Sequence, residues 1–146
     1  MPIIFFSMIT QCGVAPDAGA SFMANAERLV LIADDDQGVR DALQFALKLE
    51  GIDVHAHSGP AELLADADVQ RAGCVILEDS MPHMDGLELL RRLRARNNRL
   101  PAIMLTNHAT PGFRQRAGAA GVHLVLEKPL LDTALIDTLL VILGDA

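Results

Sequence analysis

Acids, a hydroxyl and an ammonium stand at four places in this chain of 146 residues, each at the end of a short aliphatic run. Asp34-Asp35-Asp36 follow LVLIA, and Glu78-Asp79-Ser80 follow CVIL. Thr106-Asn107 close AIMLT, and Glu127-Lys128-Pro129 close HLVLE. Carboxylates are hard oxygen ligands suited to Mg²⁺, which takes one or two of them together with waters and a phosphate. A hydroxyl and an ammonium hold the oxygens of a phosphoryl group. Singly, each group has a plainer reading. A triple Asp after a strand caps the next helix, a Thr at a strand end is usually structural, and a Lys before Pro is usually solvated. Four of them at four strand ends make a joint signal for phosphoryl chemistry beside a cation.

The elements that must position these groups are readable from periodicity. LVLIA (29–33) and CVIL (74–77) are continuous apolar runs, the pattern of strands buried on both faces. DVHAHS (53–58), AIMLT (102–106) and HLVLE (123–127) supply three more strands. Helical patterns fall between them. Val39, Leu43, Ala46 and Leu47 recur at helical spacing, with Gly51 where a C-terminal cap belongs. Pro60 opens a small helix through Leu63 and Leu64. LELLRRLRARNN places Leu87, Leu90 and Leu93 on one face and arginines on the other. Thr110-Pro111 gives an N-cap and an N1 proline for a weak helix from Phe113 to about Ala120, and Leu131 to Leu143 reads as the last helix. Five strands alternating with five helices predict an α/β, doubly wound parallel sheet covered on both faces. Chemistry in such sheets collects at the carboxyl ends of the strands.

Composition narrows the function classes. Half the residues (51%) are apolar, 21% are charged and only 3% are aromatic, which fits one domain with an aliphatic core. A net charge of −7 argues against a nucleic-acid surface, because phosphate backbones call for clustered Lys and Arg. The sequence lacks the roughly 18 uninterrupted apolar residues of a membrane span. Cys12 and Cys74 make no disulfide framework and suggest a reduced, cytoplasmic setting. Residues 1–22 differ from the rest. They carry no Lys or Arg, which argues against a secretory signal, and Gln11 before Cys12 argues against a lipoprotein signal. The expected division is a flexible N-terminal extension over 1–26, with Met23 as a natural start, and a folded domain over 27–146.

From Arg28 to Leu143 the chain resembles a two-component response-regulator receiver domain of the CheY-like fold. LVLIADDDQGVRDAL, VILEDSMPHMDGLELLRRLRA, LPAIMLT and LEKPL carry the resemblance, while LRARNNRLPAIMLTNHA and EKPLLDTALI look most like receivers of the FixJ type. The resemblance implies a flavodoxin-like, five-stranded sheet of order 2-1-3-4-5. It implies a signalling domain, not an enzyme, that takes a phosphoryl group from a histidine kinase with Mg²⁺ at the acidic cluster. Asp34 and Asp35 match the acidic pair, Asp35 as a direct metal ligand and Asp34 acting through water. Ser80 matches the residue that offers its backbone carbonyl to the metal. Thr106 and Lys128 match the pair that contacts the phosphoryl group.

Two positions depart from the family pattern. The phosphoacceptor there is an Asp three residues before the Met of the MP dipeptide, and Met81 fixes that position as Glu78. Glutamate pushes its carboxylate about one C–C bond further, on the order of 1.5 Å. Mg²⁺ requires near-octahedral geometry at about 2.0–2.1 Å, so a metal set of Asp34, Asp35, Glu78 and Ser80 is weakened and phosphorylation impaired. The longer arm also reaches toward Lys128, where it would partly imitate a phosphoryl group with one negative charge instead of nearly two. Two alternatives stand beside this. Asp79 accepts the phosphoryl group after a register shift, although strand alternation turns it from the Glu78 pocket, or Glu78 itself forms a glutamyl phosphate. The second departure is Val125, which stands where receivers usually carry the Tyr or Phe that moves with the Thr. A conventional aromatic switch is therefore missing.

Other features bear on partners and rival functions. His55 and His57 share one face of an edge strand and read as a polar face, not as ligands. His83 and His108 lie on loops near the site and tune its charge near neutral pH. The last helix reads LLVIL from Leu139, leaving Leu140 and Val141 outside in line with Thr133 and Ala134. That suggests a contact surface, and in the family a homodimer forms through the last two helices and last strand. The expected partner is a histidine kinase or another signalling protein. No DNA-binding domain follows before Ala146, so a stand-alone receiver acting by protein contacts is expected. A small Mg-dependent phosphatase of the haloacid dehalogenase type would use Asp34 and Asp36, yet it needs a late acidic pair where this chain has Thr106-Asn107 and Lys128-Pro129. A structural domain with a decayed site is a third reading, opposed by the survival of Asp34, Asp35, Thr106 and Lys128.

Overall fold

The computed structural model describes residues 28–96, 98–130 and 132–144. The expected N-terminal extension and Cys12 lie outside them. Among the described residues five strands alternate with five helices: β1 (Leu29–Ala33), α1 (Gln37–Leu49), β2 (Asp53–His57), α2 (Pro60–Leu64), β3 (Cys74–Glu78), α3 (Gly86–Ala95), β4 (Ala102–Thr106), α4 (Pro111–Ala119), β5 (Leu124–Glu127) and α5 (Ala134–Ile142). The strands form one parallel sheet of order β2-β1-β3-β4-β5, the doubly wound fold that the alternation predicts.

Burial follows the strand patterns. Every residue of β1, β3 and β4 is buried, as continuous apolar runs require of central strands, whereas the edge strands β2 and β5 are mostly half-buried. Period-two alternation splits the core. Leu29, Leu31, Ala33, Val75, Leu77, Ala102 and Met104 face α2, α3 and α4. Val30, Ile32, Cys74, Ile76, Ile103 and Leu105 face α1 and α5. Each fully buried Leu or Ile in these layers contributes roughly 1.5–3 kcal/mol.

Helix ends follow local chemistry. Asp36, Asp85 and Thr110 cap α1, α3 and α4 by accepting from the N–H of Val39, Glu88 and Phe113. Gly51 after α1 takes φ 76°, the left-handed conformation of a helix stop. The last helix is shorter than its apolar run predicts. It starts at Ala134, because Asp132 Oδ1 accepts the Ala134 N–H at 3.0 Å and holds a turn ahead of the first helical residue. Leu131, its expected start, lies outside the described residues. Val141 on α5, and Phe45 and Leu49 on α1, are large apolar side chains left exposed.

Gly86 fixes how the site is built. It opens α3 directly against the end of β3, with its N–H on the Asp79 carbonyl at 2.9 Å. A Cβ at this position would run into the Glu78 carbonyl oxygen and would lie 2.7 Å from Met104 Sδ. Backbone cannot yield as a flexible side chain does. Gly86→Ala is therefore expected to destabilise the fold by about 1–3 kcal/mol, read as a lower urea midpoint.

Candidate functional site

Strand parity sorts the candidate residues. Asp34 follows Ala33 and so shares the α1/α5 side with Ile32, while Glu78 shares that side with Ile76 and Lys128 with Leu126. Asp79, Thr106 and Val125 fall on the opposite side, with Leu77 and Met104. The parallel register brings these ends level. Glu78 lies opposite Leu105, and Thr106 lies opposite Glu127.

On the first side a single ammonium meets two buried carboxylates. Lys128 Nζ lies 3.0 Å from Asp34 Oδ2 and is ion-paired with Glu78 Oε1. The Asp34 side chain is 0% exposed, Glu78 3% and Lys128 14%. Each carboxylate also holds backbone: Asp34 Oδ1 accepts the Asp36 N–H at 2.9 Å, and Glu78 Oε2 accepts the Ser80 N–H at 3.1 Å. Arg40 Nη1 donates to the Asp34 carbonyl at 2.7 Å and fixes the turn between β1 and α1. Beyond the ammonium, Asp34 Oδ2 and Glu78 Oε1 find no hydrogen-bond partner among the described residues. Two negative charges share one positive. Burial consequently pushes the Glu78 carboxyl above its ordinary value, against the pull of Lys128 and the Ser80 N–H. Burial also pulls the Lys128 ammonium down, but its hydrogen bonds to Glu78 and Asp34 outweigh this and hold it above its ordinary value.

On the second side Thr106 is engaged elsewhere. Its hydroxyl donates to Asp79 Oδ2 at 3.1 Å and accepts the His108 N–H at 3.1 Å. Asp79 remains in the ladder, its N–H on the Leu105 carbonyl at 2.8 Å, so no bulge turns it toward Glu78. Thr106 and Lys128, expected to converge, are thus separated, each on its own carboxylate. Val125 is half-buried against the core on the Thr106 side. Asp35 and Ser80 are exposed at the mouth. The Thr106–Asp79 bond was not legible from the motif, since it depends on the register between β3 and β4.

Asp36 does not join this group. Its Oδ1 caps α1 and its side chain is exposed, so it and Asp34 do not form the paired acids of a phosphatase. His55 and His57 prove more engaged than a polar face. His55 Nδ1 and His57 Nε2 each lie 2.8 Å from Asp66 Oδ2. Burial works against ionisation of Asp66, yet the Asp68 N–H and the two imidazoles prevail and lower its pKa to about 2.

The family model of the response regulator receiver domain matches residues 30–140. The chain belongs to that family. Its strand ends bring Asp34, Glu78 and Lys128 into one buried charged cluster. It is 35% identical over 115 residues to the transcriptional regulatory protein FixJ of Azorhizobium caulinodans, covering 79% of this chain and 54% of that protein. It is 36% identical over 110 residues to FixJ of Rhizobium meliloti, covering 75% and 54%. The chain spans about half the length of these relatives. Among solved structures it is similar to the chemotaxis protein CheY4 of Vibrio cholerae, with TM-score 0.72, 29% identity and coverage of 78% and 97%. It also resembles a receiver protein from Burkholderia phymatum, with TM-score 0.69, 35% identity and coverage of 81% and 96%. Among the described residues no helix is long and apolar enough to cross a membrane.

The charge count yields a contrast between two variants. Lys128→Met leaves two buried carboxylates without a counter-charge and is expected to cost about 3 kcal/mol in urea unfolding. Glu78→Gln removes the excess charge and is expected to stay within about 1 kcal/mol of wild type.

Proposed function

We propose that this receiver signals through protein–protein contacts with its phosphorylation impaired, because the acceptor position already supplies the carboxylate that Lys128 binds. The observation that carries this is the Glu78–Lys128 ion pair, buried and shared with Asp34. The resemblance gives this ammonium the role of meeting an incoming phosphoryl oxygen. Here it is engaged from within the chain, and Thr106 is engaged in parallel by Asp79. Both phosphoryl-contacting groups are thus held by native carboxylates. Glu78 imitates the phosphorylated state in part, with one negative charge where a phosphoryl group brings nearly two.

The same pairing bears on Mg²⁺. Asp34, Asp35, Glu78 and the Ser80 carbonyl are the oxygen donors that would hold it, and their chemistry suits a hard cation. When bound, the ion would neutralise charge on phosphoryl oxygens. The arrangement fits it poorly, because Asp34 and Glu78 each direct an oxygen at Lys128 and, of the three carboxylates, only Asp35 stands open to water. Mg²⁺ would have to displace the ammonium.

The decisive measurement is intact mass after incubation with Mg²⁺ and a small acyl phosphate. Wild type is expected to stay unmodified, and Glu78→Asp, whose shorter arm withdraws from Lys128, to gain one phosphoryl group. A phosphorylated wild type overturns the reading, and mapping then assigns the adduct to Glu78 or Asp79. If neither form is modified, glutamate is not what silences the pocket.

The partner is a histidine kinase or another signalling protein, and a second copy docks on α4, β5 and α5. Val141 on α5 is 62% exposed, beside half-buried Leu140. Val141→Lys is expected to abolish concentration-dependent sedimentation while shifting stability by no more than about 0.5 kcal/mol. Wild type sedimenting as a monomer at all concentrations excludes the dimer.

A further inference from the structure

Away from the acidic pocket, the β2 edge and the loop after α2 bring imidazoles and carboxylates together. His55 and His57 project from the same side of β2, paired in register with Leu31 and Ala33 of β1. Asp66 sits between their rings, its Oδ2 at 2.8 Å from His55 Nδ1 and 2.8 Å from His57 Nε2. Its Oδ1 accepts the Asp68 N–H at 2.8 Å, which turns the chain so that the Asp68 carboxylate joins the cluster. One ligand atom from each of His55, Asp66 and Asp68 falls within 4.8 Å of the others. We propose that His55, Asp66 and Asp68 bind a first-row divalent cation of the zinc type, with His57 orienting Asp66.

Ligand spacing is the first argument. Two ligands on a tetrahedral zinc with bonds of about 2.0–2.1 Å lie roughly 3.3–3.4 Å apart. The 2.8 Å between His55 Nδ1 and Asp66 Oδ2 is a hydrogen-bond distance, so ring and carboxylate separate by roughly half an ångström to seat an ion. An ion entering there replaces the shared hydrogen, and the His55 proton is carried on Nε2 instead. His57 keeps its bond to the same carboxylate, which is how ligating carboxylates are held in place by outer residues.

Donor type and access follow. One imidazole with two carboxylates is a mixed N/O set that suits zinc, nickel or cobalt better than Mg²⁺. Asp66 is ionised and its side chain only 8% exposed, so it is an immobilised anion facing two ligand-type rings. His55 at 37% and Asp68 at 36% are open enough to admit the ion and its remaining waters. Arg71 engages one oxygen of Asp68, Oδ1 at 2.9 Å, from a half-exposed side chain, and the carboxylate has a second oxygen for the metal. Nothing of the acidic pocket is shared. His57 touches it only through backbone, its carbonyl accepting the Asp34 N–H at 3.1 Å.

The test uses the full chain, stripped of metal and kept in excess Mg²⁺ to compete with zinc for the oxygen donors of the acidic pocket. Zn²⁺ is titrated against a chromophoric chelator, and Co²⁺ is added to ¹⁵N-labelled protein. Wild type is expected to bind one zinc that His55→Gln and Asp68→Asn each weaken by at least about tenfold. His83→Gln is expected to leave it unchanged. Co²⁺ is expected to broaden amide signals first at residues 55–57 and 66–68. Zinc affinity unchanged in both variants, or broadening centred elsewhere, overturns the proposal, as does the absence of micromolar binding. Should His55→Gln fail to fold, the exposed Asp68→Asn and the wild-type Co²⁺ map decide.

Discussion

Asp34 and Glu78 are both buried, and Lys128 is the one ammonium that reaches them. Removing a carboxylate from water costs several kcal/mol unless a cation and hydrogen bonds replace the solvent. Here the replacement is incomplete both in hydrogen bonds and in charge. Backbone N–H groups of Asp36 and Ser80 satisfy one oxygen on each carboxylate, and the remaining oxygen of each depends on the same ammonium. That dependence ties β1, β3 and the end of β5 together at the carboxyl edge of the sheet. Burial raises the Glu78 carboxyl against the pull of that ammonium, while the hydrogen bonds to both carboxylates hold Lys128 charged. Three strands share one cation, and the chemistry available to the pocket is set by how firmly they hold it.

The pocket is divided by the plane of the sheet. One extra methylene at residue 78 would matter little if the carboxylate had no partner within reach. Lys128 is on the same side of the sheet, so the longer arm finds it directly. On the other side, Thr106 follows Leu105, the residue opposite Glu78, and its hydroxyl finds the Asp79 carboxylate. Val125 shares the Thr106 side, where a larger ring would ordinarily compete for the same space. The two sides thus reach matching states, with each polar group held by an acid from the Glu78-Asp79 pair.

The β2 edge shows a related economy of charge. An edge strand carries half-buried polar side chains that a central strand would not tolerate, and here two of them converge on Asp66. The bonds join the outermost strand to the loop after α2, which also places Val69 and Ala72 in the core. Lowering the Asp66 pKa to about 2 keeps that link intact throughout the neutral range.

The sequence by itself determined the fold class, the strand-end placement of Asp34, Glu78, Thr106 and Lys128, and the cap at Thr110. Continuous apolar runs, helical spacing and capping residues are local signals, and each acts over a few residues. The MP dipeptide likewise marked Glu78 as the expected acceptor position without reference to any contact. Tertiary structure decided what those groups touch. Only the register between β3 and β4 pairs Thr106 with Asp79, and only the packing of a loop against β2 brings Asp66 to His55 and His57. The start of α5 at Ala134 also lay beyond the apolar pattern, because the Asp132 turn competes with the helix for the same backbone donor. Side-chain partners lie far apart in the chain, and their meeting depends on strand order and parity, quantities that exist only once the sheet has formed.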